Sequence, residues 1–490
     1  MMAAVVAAMT LGELLGSAAG AHQRITVTDL VSDSREVTQG AAFVALAGHR
    51  SHGLDHAAEA LAAGASIVIY EPPAGGADVP APSLALPGLT RRLGELGRKF
   101  YGRRRPPDGL VGVTGTNGKT TVAWLIASAL TTLGEPCAYL GTLGYGAGGA
   151  LKPQSLTTPD CLSLHRKLAE LGTPRAALEI SSHAIAQDRI AGLGIEGAVF
   201  TNLSHDHLDW HGSMDAYFET KAKLFDRDGL KFAVVNSGDA YGRKLLARID
   251  PSARRISVRL DEPASTDLTA KCESRGFAGQ ALNVSGSRGA ARIESPLIGE
   301  FNAENLLLAL AAAVATGHDL ERAAAALSKA AAPPGRMEVF GGPPARPWVI
   351  VDYAHTPAAL ARALAAVVAM KSGDLTCVFG CGGDRDRAKR APMGQAAADN
   401  ADHIVLTDDN PRGEDPAAIV AAIAAGAAGH PDVRIEHARD LAIEGAIRRA
   451  RPGDVVLVAG KGHETRQLAR GESRPFDDRA VVRTVLEGRG

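Results

Sequence analysis

The stretch that decides the fold of this chain is Val111-Gly-Val-Thr-Gly-Thr-Asn-Gly-Lys-Thr-Thr121. An apolar run begins at Leu110 and continues into this stretch, and the apolar helical pattern Thr121–Leu133 begins where the stretch ends. The order predicts a strand, a glycine-rich loop and a helix. In such a loop the backbone N–H groups point at phosphate oxygens, and the helix N-terminus adds positive potential. Lys119 would add a mobile charge beside the outer phosphates, and the Thr120 hydroxyl would reach Mg2+. The pattern therefore predicts nucleotide binding by Gly115, Thr116, Asn117, Gly118, Lys119, Thr120 and Thr121.

The spacing of this loop departs from the common pattern G-x-x-x-x-G-K-[ST]. Val113 stands five residues before Gly118, and the additional glycines are at positions 112 and 115. Gly-Lys-Thr alone occurs by chance, and a structural turn is the alternative interpretation. The strand–loop–helix context favours nucleotide binding, but it does not identify the reaction.

Short apolar segments alternate with helical patterns on both sides of the loop. The predicted strands are Ala42–Leu46, Ser66–Tyr70, Ala176–Ile180, Gly197–Thr201, Trp348–Asp352, Leu375–Gly380, His403–Thr407 and Val455–Ala459. This alternation predicts an α/β fold with parallel sheets covered by helices. Breaks at residues 98–109 and 331–335 divide the chain into three domains: a small N-terminal α/β domain (1–105), a central doubly wound parallel sheet of the P-loop ATPase type (106–333) and a Rossmann-like domain (334–490).

Composition narrows the possible partners. The 490 residues are 46% hydrophobic and 22% charged, with a net charge of −1, so neither nucleic acid nor an anionic membrane is expected as a partner. No Lys or Arg precedes Arg24, which favours a first helix over a signal peptide, with Met1, Met2 or Met9 as the start. The five scattered cysteines suggest reduced thiols rather than a zinc site. We expect a cytoplasmic monomer without a transmembrane helix.

The central segment contains a second polar cluster. Glu179 comes at the end of a predicted strand, at the edge where the phosphate loop also opens. Some twenty residues later the chain is rich in potential metal ligands, namely His205, Asp206, His207, Asp209 and His211. A transition-metal site and a structural polar turn are two interpretations. With a phosphate loop nearby, Mg2+ shared between nucleotide oxygens and one or two protein groups is the third, and we favour it.

Five motifs together resemble the Mur ligase family: GVTGTNGKTT, TTPD, EISSHA, NLSHDHLDWHG and YFETKAKLF. They occur in the order that is typical of that family, and the similarity covers nearly the whole chain. The resemblance implies ATP-dependent amide formation, in which ATP phosphorylates a substrate carboxylate and an amine displaces the phosphate. It implies that Glu179 and His207 hold Mg2+, together with Thr120 of the phosphate loop, and that Lys221 is carbamylated to N6-carboxylysine. The alternative for Lys221 is a solvated helix lysine. The implied catalytic set is Lys119, Glu179, His207 and Lys221.

The resemblance also implies where the substrates bind. For ATP, the matching residues outside the loop are Asn302, Arg336 and Asp352, with a helix N-cap as the structural alternative for Asn302. For the UDP-N-acetylmuramoyl dipeptide, the matching residues are Ser32, Ser34, His49, Arg50, Ser51, Thr157, Thr158, Ser181, Gln187 and Arg189.

The loop Asp409-Asn410-Pro411-Arg412 is similar to the motif of the family member that adds meso-2,6-diaminopimelate to UDP-N-acetylmuramoyl-L-alanyl-D-glutamate. Diaminopimelate differs from lysine by a distal carboxylate, which a planar guanidinium can bind with two hydrogen bonds. Arg385, Gly460 and Glu464 match the remaining contacts, while a simple Asn-Pro turn is the structural alternative. The rival functions are a lysine-adding relative, a folylpolyglutamate-type ligase and a nucleotide-binding regulatory protein without turnover.

Overall fold

The computed structural model describes residues 8–48, 52–72, 79–261 and 266–488. His49, Arg50 and Ser51, which the sequence assigns to the UDP substrate, lie outside the described residues. The chain forms two compact units, residues 1–257 with 311–315, and residues 258–310 with 316–490. The three-domain division at residues 105/106 and 333/334 stays a prediction.

The first unit contains the phosphate loop. Its strands are β1 (Met9–Thr10), β2 (Thr26–Val27), β3 (Leu30–Val31), β4 (Ala42–Ala45), β5 (Ile67–Tyr70), β6 (Ser83–Ala85), β7 (Gly109–Thr114), β8 (Cys137–Gly141), β9 (Gly144–Ala147), β10 (Ala150–Lys152), β11 (Arg175–Glu179), β12 (Ile195–Phe200) and β13 (Phe232–Asn236). Its helices are α1 (Leu11–Leu15), α2 (Ala57–Ala62), α3 (Leu89–Tyr101), α4 (Lys119–Thr132), α5 (Cys161–Glu170), α6 (Ser182–Ala186), α7 (Leu208–His211), α8 (Met214–Ala222) and α9 (Ala240–Arg248), with short 3-10 turns at Gly16–His22, Ser34–Glu36, Gly53–His56 and Gly102–Arg104.

Two sheets organise this unit. Strands β3, β4, β5 and β6 form a parallel sheet in that order. The larger sheet has eleven strands, and the part of it in this unit has the order β10-β9-β8-β11-β7-β12-β13, in which the five strands β8-β11-β7-β12-β13 run parallel. Because β7 is the middle one of the five parallel strands, its residues are buried on both faces and the chain is almost wholly apolar there. The phosphate loop therefore leaves the sheet at its middle.

The second unit carries the remaining elements, with β14 (Arg254–Leu260) and α10 (Glu300–Ala315) each belonging partly to both units. Its other strands are β15 (Leu268–Ser274), β16 (Gln280–Gly286), β17 (Gly289–Ser295), β18 (Glu338–Gly341), β19 (Trp348–Asp352), β20 (Leu375–Phe379), β21 (His403–Leu406), β22 (Val433–Ile435), β23 (Val455–Ala459), β24 (Arg466–Ala469) and β25 (Glu472–Pro475). Its other helices are α11 (Leu320–Ser328), α12 (Pro357–Val368), α13 (Arg390–Ala398), α14 (Pro416–Ala424), α15 (Arg439–Arg449) and α16 (Asp478–Glu487), with a 3-10 turn at Ala425–Ala427.

A six-stranded sheet organises the second unit in the order β18-β19-β23-β20-β21-β22, parallel except for β18 at its edge. The carboxyl ends of β19, β20, β21 and β23 thus lie along one edge, where open α/β sheets bind ligands. The α/β fold class and the strands predicted from the sequence are confirmed, with Trp348–Asp352 and Val455–Ala459 at the predicted bounds. None of the helices in the described ranges has the length and apolar character needed to cross a bilayer.

A buried ion pair holds one end of this sheet. Arg439 at the start of α15 donates from Nε to Oδ1 of Asp478 at 2.7 Å and from Nη2 to Oδ2 at 2.8 Å. Both side chains are fully shielded from solvent. Arg439 also donates to the backbone oxygen of Ala459 at 2.9 Å. The pair therefore ties α15 and α16 to the carboxyl end of β23.

We predict that Asp478→Ala lowers the free energy of unfolding by about 3–5 kcal/mol, because it leaves the Arg439 guanidinium buried without its anion. Glu444→Ala is the matched control, since it breaks the exposed Glu444–Arg448 pair and should cost less than about 1 kcal/mol. Urea titration followed by circular dichroism measures both. Equal losses in the two variants would contradict the importance of the buried pair.

Candidate active site

The phosphate loop runs from the end of β7 to the start of α4, as predicted. Gly115 has φ +146°, and a Cβ built there would lie 1.9 Å from the Thr201 hydroxyl oxygen. Gly118 at the N-cap of α4 has φ +84°. Both positions need glycine, the first for its backbone angle and lack of space and the second for its left-handed backbone.

The loop after β12 clamps the phosphate loop from one side. The Asn202 backbone oxygen accepts from Thr116 N at 2.8 Å, and its Oδ1 accepts from Asn117 N at 3.1 Å. The Thr201 hydroxyl donates to the Asn117 backbone oxygen at 2.5 Å, and Asn117 Nδ2 donates to Ser204 Oγ at 3.2 Å. The sequence pointed to the His and Asp residues of this stretch, but these contacts come from Thr201, Asn202 and Ser204.

Glu179 ends β11 directly beside Val113 of β7, which places its carboxylate at the phosphate loop as the sequence predicts. The carboxylate is almost completely buried. Oε1 accepts from the Tyr139 hydroxyl and from Thr142 N at 2.8 Å. Oε2 accepts from the hydroxyls of Thr120 at 3.0 Å and Thr142 at 3.1 Å. This set of donors keeps a buried carboxylate satisfied and fixed.

Sequence reasoning missed Tyr139 and Thr142. Tyr139 lies inside β8, and in the sequence it cannot be distinguished from an ordinary buried strand residue. Thr142 directly follows β8, at the same sheet edge as the phosphate loop and Glu179. Its position past a parallel strand is the signal that could have identified it.

Two lysines converge on the backbone oxygen of Gly115. Lys119 Nζ donates to it at 3.0 Å and also to the Thr116 oxygen at 2.9 Å. Lys221 Nζ, on α8, donates to the Gly115 oxygen at 2.8 Å and lies 4.5 Å from the centre of the Tyr217 ring. Burial and then the charge of Lys119 hold the pKa of Lys221 well below its ordinary value. The alternative of a solvated lysine is wrong for Lys221, which is 1% exposed, whereas Lys223 is exposed.

His207 precedes α7 with φ +53°. Partial burial lowers the pKa of His207, and the positive charges of Lys119 and Lys221 lower it further. The negative charge of Asp206 acts in the opposite direction but does not cancel these effects. This favours the neutral imidazole, the form that binds metal ions. The His183 ring centre lies 5.0 Å from that of His207.

Thr120 and Glu179 are the residues best placed for Mg2+ at this site. Thr120 Oγ1 and Glu179 Oε2 are possible oxygen ligands for a metal ion and lie 3.0 Å apart beside the phosphate loop. Two such ligands fit a hard cation that completes its coordination shell with phosphate oxygens and water. In the described part of the chain, no three His, Cys, Asp or Glu side chains surround a common metal position.

The residues assigned to the muramoyl dipeptide form a connected group in the first unit. Thr158 Oγ1 donates to the Glu179 backbone oxygen at 2.8 Å and accepts from Ser181 N at 3.1 Å. Arg189 donates to the Thr158 oxygen at 2.8 Å and to Gln187 Oε1 at 2.6 Å. The Thr157 hydroxyl pairs with that of Thr142 at 3.1 Å.

The two serines assigned to the UDP moiety separate within the first unit. Ser32 Oγ donates to Asp160 Oδ1 at 3.0 Å, and Asp160 follows Thr158 by two residues. Ser34 instead donates to Glu59 Oε2 at 3.2 Å. Only Ser32 is thereby linked to the segment that carries Thr157 and Thr158.

In the second unit, Asn302 lies within the first turn of α10 rather than at its N-cap. Its Nδ2 donates to the Ile298 oxygen at 2.8 Å, so the N-cap interpretation is wrong. Asp352 ends β19 and accepts from Met337 N at 2.8 Å and Ala354 N at 2.9 Å. Burial raises the pKa of Asp352, against the charge of Arg336. Arg336 lies 4.5 Å from the centre of the Tyr353 ring.

The three predicted amino-acid-binding loops, which follow β20, β21 and β23, meet at the edge of the second unit's sheet. The Arg412 Nη1 donates to the Gly383 oxygen at 2.8 Å, and Gly383 N donates to the Asn410 oxygen at 2.9 Å. These bonds hold the segment that carries the exposed Arg385 beside Asp409–Arg412. Gly460 has φ +113°, and a Cβ there would lie 2.6 Å from Asp409 Oδ2. Burial raises the pKa of Asp409.

Three family models match the chain: "Mur ligase family, catalytic domain" over residues 26–101, "Mur ligase middle domain" over 113–313, and "Mur ligase, glutamate ligase domain" over 335–462. A curated protein of Xanthomonas campestris pv. campestris (strain 8004) is 45% identical, covering 98% of this chain and 97% of its own length. One from Xylella fastidiosa (strain Temecula1) is 43% identical, covering 98% and 97%. Both are named UDP-N-acetylmuramoyl-L-alanyl-D-glutamate--2,6-diaminopimelate ligase. A solved structure of a protein with that name has a TM-score of 0.69 at 37% identity, covering 98% of this chain and 99% of its own.

We predict that Gly115→Ala destabilises the protein by about 1–3 kcal/mol, because the added Cβ must displace Thr201 from a close-packed site. It should also weaken MgATP binding, since Lys119 and Lys221 both bond the Gly115 oxygen. Gly194→Ala is the control, because a Cβ at Gly194 meets nothing within 4 Å. Thermal unfolding and calorimetric titration with MgATP measure the two effects. Wild-type behaviour of Gly115→Ala in both would contradict this account of the loop.

Proposed function

The chain belongs to the Mur ligase family, as its motifs predict, and we propose that it adds meso-2,6-diaminopimelate to UDP-N-acetylmuramoyl-L-alanyl-D-glutamate while ATP is converted to ADP and inorganic phosphate. The observation that carries this proposal is the 45% identity to a diaminopimelate ligase over 98% of the chain. ATP is the co-substrate and Mg2+ the cofactor. We propose that this reaction takes place in the cytoplasm as a step of peptidoglycan precursor synthesis. That the protein is a monomer stays a prediction.

The proposed reaction has two steps. An oxygen of the D-glutamyl carboxylate attacks the γ-phosphorus of ATP, and ADP leaves. The amine of diaminopimelate then attacks the acyl carbon of the acyl phosphate, inorganic phosphate leaves, and the nitrogen loses a proton to give the amide. The first step brings the carboxylate and the ATP phosphates together although both carry negative charge. In both steps the attacking and leaving groups must be held in position. Positioning and charge neutralisation are therefore the main tasks of the protein.

The phosphate loop supplies the neutralising charge for the first step. Lys119 lies beside the loop oxygens of Gly115 and Thr116, from which its flexible side chain can turn toward the outer phosphates. When bound, Mg2+ would stabilise charge on the transferring phosphoryl group. Thr120, Glu179 and His207 would hold it, and Tyr139 and Thr142 would keep the Glu179 carboxylate in place.

We further propose that the Lys221 amine carries a carbamate. Its lowered pKa increases the fraction of neutral amine, which is the form that adds to CO2. The neutral nitrogen bonds the carbon of CO2 and releases one proton, which gives an anion; counted from the ammonium form, two protons are lost and a cation is replaced by an anion. Next to the phosphate loop and Lys119, that anion has positive charge to pair with.

The amino-acid loops offer charges that suit diaminopimelate. Arg385 and Arg412 provide guanidinium groups for carboxylates, and Glu464 provides a carboxylate for an ammonium group. Lysine lacks the distal carboxylate of diaminopimelate, so one of these guanidinium groups would have no carboxylate to bind. A site that loses such a partner discriminates strongly between the two amino acids.

We predict that the purified protein, given ATP, Mg2+ and the UDP-muramoyl dipeptide, releases ADP with a kcat/KM for meso-diaminopimelate about a hundredfold or more above that for L-lysine. The coupled assay of ADP release measures both values. Lys119→Ala should lose turnover with either amino acid, and Arg412→Lys should narrow the preference. A preference for lysine would overturn the assignment.

For the carbamate, we predict that Lys221→Ala lowers kcat by about a hundredfold or more and that millimolar acetate partly restores it, because a free carboxylate can occupy the emptied space. Lys223→Ala is the matched control, two residues away and exposed, and should keep wild-type activity with no response to acetate. Full activity of Lys221→Ala, or no response to acetate, would contradict the proposal.

A further inference from the structure

Lys461 is a fully buried cation in the loop between β23 and β24. Its Nζ donates to Asn410 Oδ1 at 3.2 Å, to Glu464 Oε2 at 2.9 Å and to the Arg466 backbone oxygen at 2.7 Å. An ammonium group has three donors and no acceptor. All three are occupied, so Lys461 can influence a ligand only through the groups that it holds.

The first of these groups is the side-chain amide of Asn410. Its Oδ1 accepts from Lys461 and from Leu468 N at 2.9 Å, while Nδ2 donates to Glu464 Oε2 at 2.8 Å. Because both partners of Oδ1 can only donate, the flipped orientation of the amide would set donors against donors. Lys461 thus decides which way Asn410 presents its N–H groups, one of which can serve an incoming acceptor.

The second group is the carboxylate of Glu464. Lys461 and Asn410 both bond Oε2, and no side chain or backbone group of the described residues donates to Oε1. Although burial alone would raise the pKa of Glu464, the charge and hydrogen bond of Lys461 together with the Asn410 bond hold it below its ordinary value. The result is an anion with one oxygen fixed and the other open to an ammonium group.

The third contact ties this pair to the β24–β25 hairpin. Lys461 bonds the oxygen of Arg466, the first residue of β24. Gln467 donates from Nε2 to the Asp409 oxygen at 2.8 Å, and Arg412 N donates to the Leu468 oxygen at 2.9 Å. One buried ammonium therefore links the hairpin, the Asp409–Arg412 loop and Glu464.

We propose that Lys461 is a positioning residue for the amino-acid site, holding Asn410 and Glu464 in the orientation that receives a substrate bearing both an ammonium and a carboxylate group. This inference rests on the proposed function, which assigns Asn410 and Glu464 to the incoming diamino acid. Lys461 itself does not touch the substrate. Its removal should weaken amino-acid binding and leave the binding of the two other substrates unchanged.

The test is the Lys461→Met variant, which keeps an unbranched side chain up to the ε position and removes the charge and the donors of Nζ. We expect its KM for meso-diaminopimelate to rise about 10- to 100-fold, the effect of losing charged hydrogen bonds. Its KM values for ATP and for the UDP-muramoyl dipeptide should stay within about twofold of wild type. Lys371→Met is the matched control, since Lys371 pairs with Asp402, and it should leave all three KM values unchanged. A merely structural role would instead raise all three KM values of Lys461→Met together.

The single variant Glu464→Gln and the double variant Lys461→Met/Glu464→Gln complete a double-mutant cycle. If Lys461 acts through Glu464, the loss in kcat/KM of the double variant should be smaller than the product of the two single losses. Should Lys461→Met alone not fold because it leaves the partly buried Glu464 carboxylate without its cation, the double variant Lys461→Met/Glu464→Gln removes both charges. It should then show a raised KM for diaminopimelate only.

The outcomes separate the inference from the proposed function. If wild type turns over with diaminopimelate and Glu464→Gln is impaired, a wild-type KM in Lys461→Met overturns the positioning role alone. Multiplicative losses in the cycle, or a parallel rise of all three KM values, also overturn it. If the wild-type protein releases no ADP with diaminopimelate, it is the proposed function that fails.

Discussion

The backbone oxygen of Gly115 accepts hydrogen bonds from two lysines at once, and much of the candidate active site depends on this arrangement. It brings Lys119 from the first turn of α4 and Lys221 from α8 to a single point of the phosphate loop. Glycine at position 115 allows the phosphate loop and the loop after β12 to pack this closely, because a Cβ there would collide with Thr201. The same residue thus contacts the loop after β12 and, through its backbone oxygen, α8.

Parallel strands explain why the remaining site residues lie where they do. In the first unit, β7, β11 and β12 are neighbours, so the phosphate loop, Glu179 and Thr201–Asn202 all leave the sheet at one edge. In the second unit the ends of β19, β20, β21 and β23 meet in the same way. Residues far apart in sequence, such as Gly383 and Arg412, become hydrogen-bonded partners because their strands have the same direction.

The sequence therefore predicts which loops form the site, but not how their side chains pair. Glu179 could be placed beside the phosphate loop from its position at the end of a predicted parallel strand and from its motif. The contacts of Tyr139 and Asn202 could not, because they depend on side-chain directions that only the folded sheet determines. The strands β15, β16 and β17, of which β16 pairs antiparallel with the other two, were also missed. Residues 268–295 are rich in Gly, Ser and charged residues and show little of the alternation typical of strands.

Lys221 and Lys461 show how the surroundings of a buried lysine decide what it can do. Burying an ammonium group is costly unless an anion and acceptors replace the lost water. Lys461 has Glu464 and two further oxygens, so its charge is matched and the ammonium serves as a fixed support. Lys221 donates to a backbone oxygen and has Lys119 as a charged neighbour, which destabilises its cationic form. The same residue type is thereby suited to structural support at position 461 and to acquiring a negative charge at position 221.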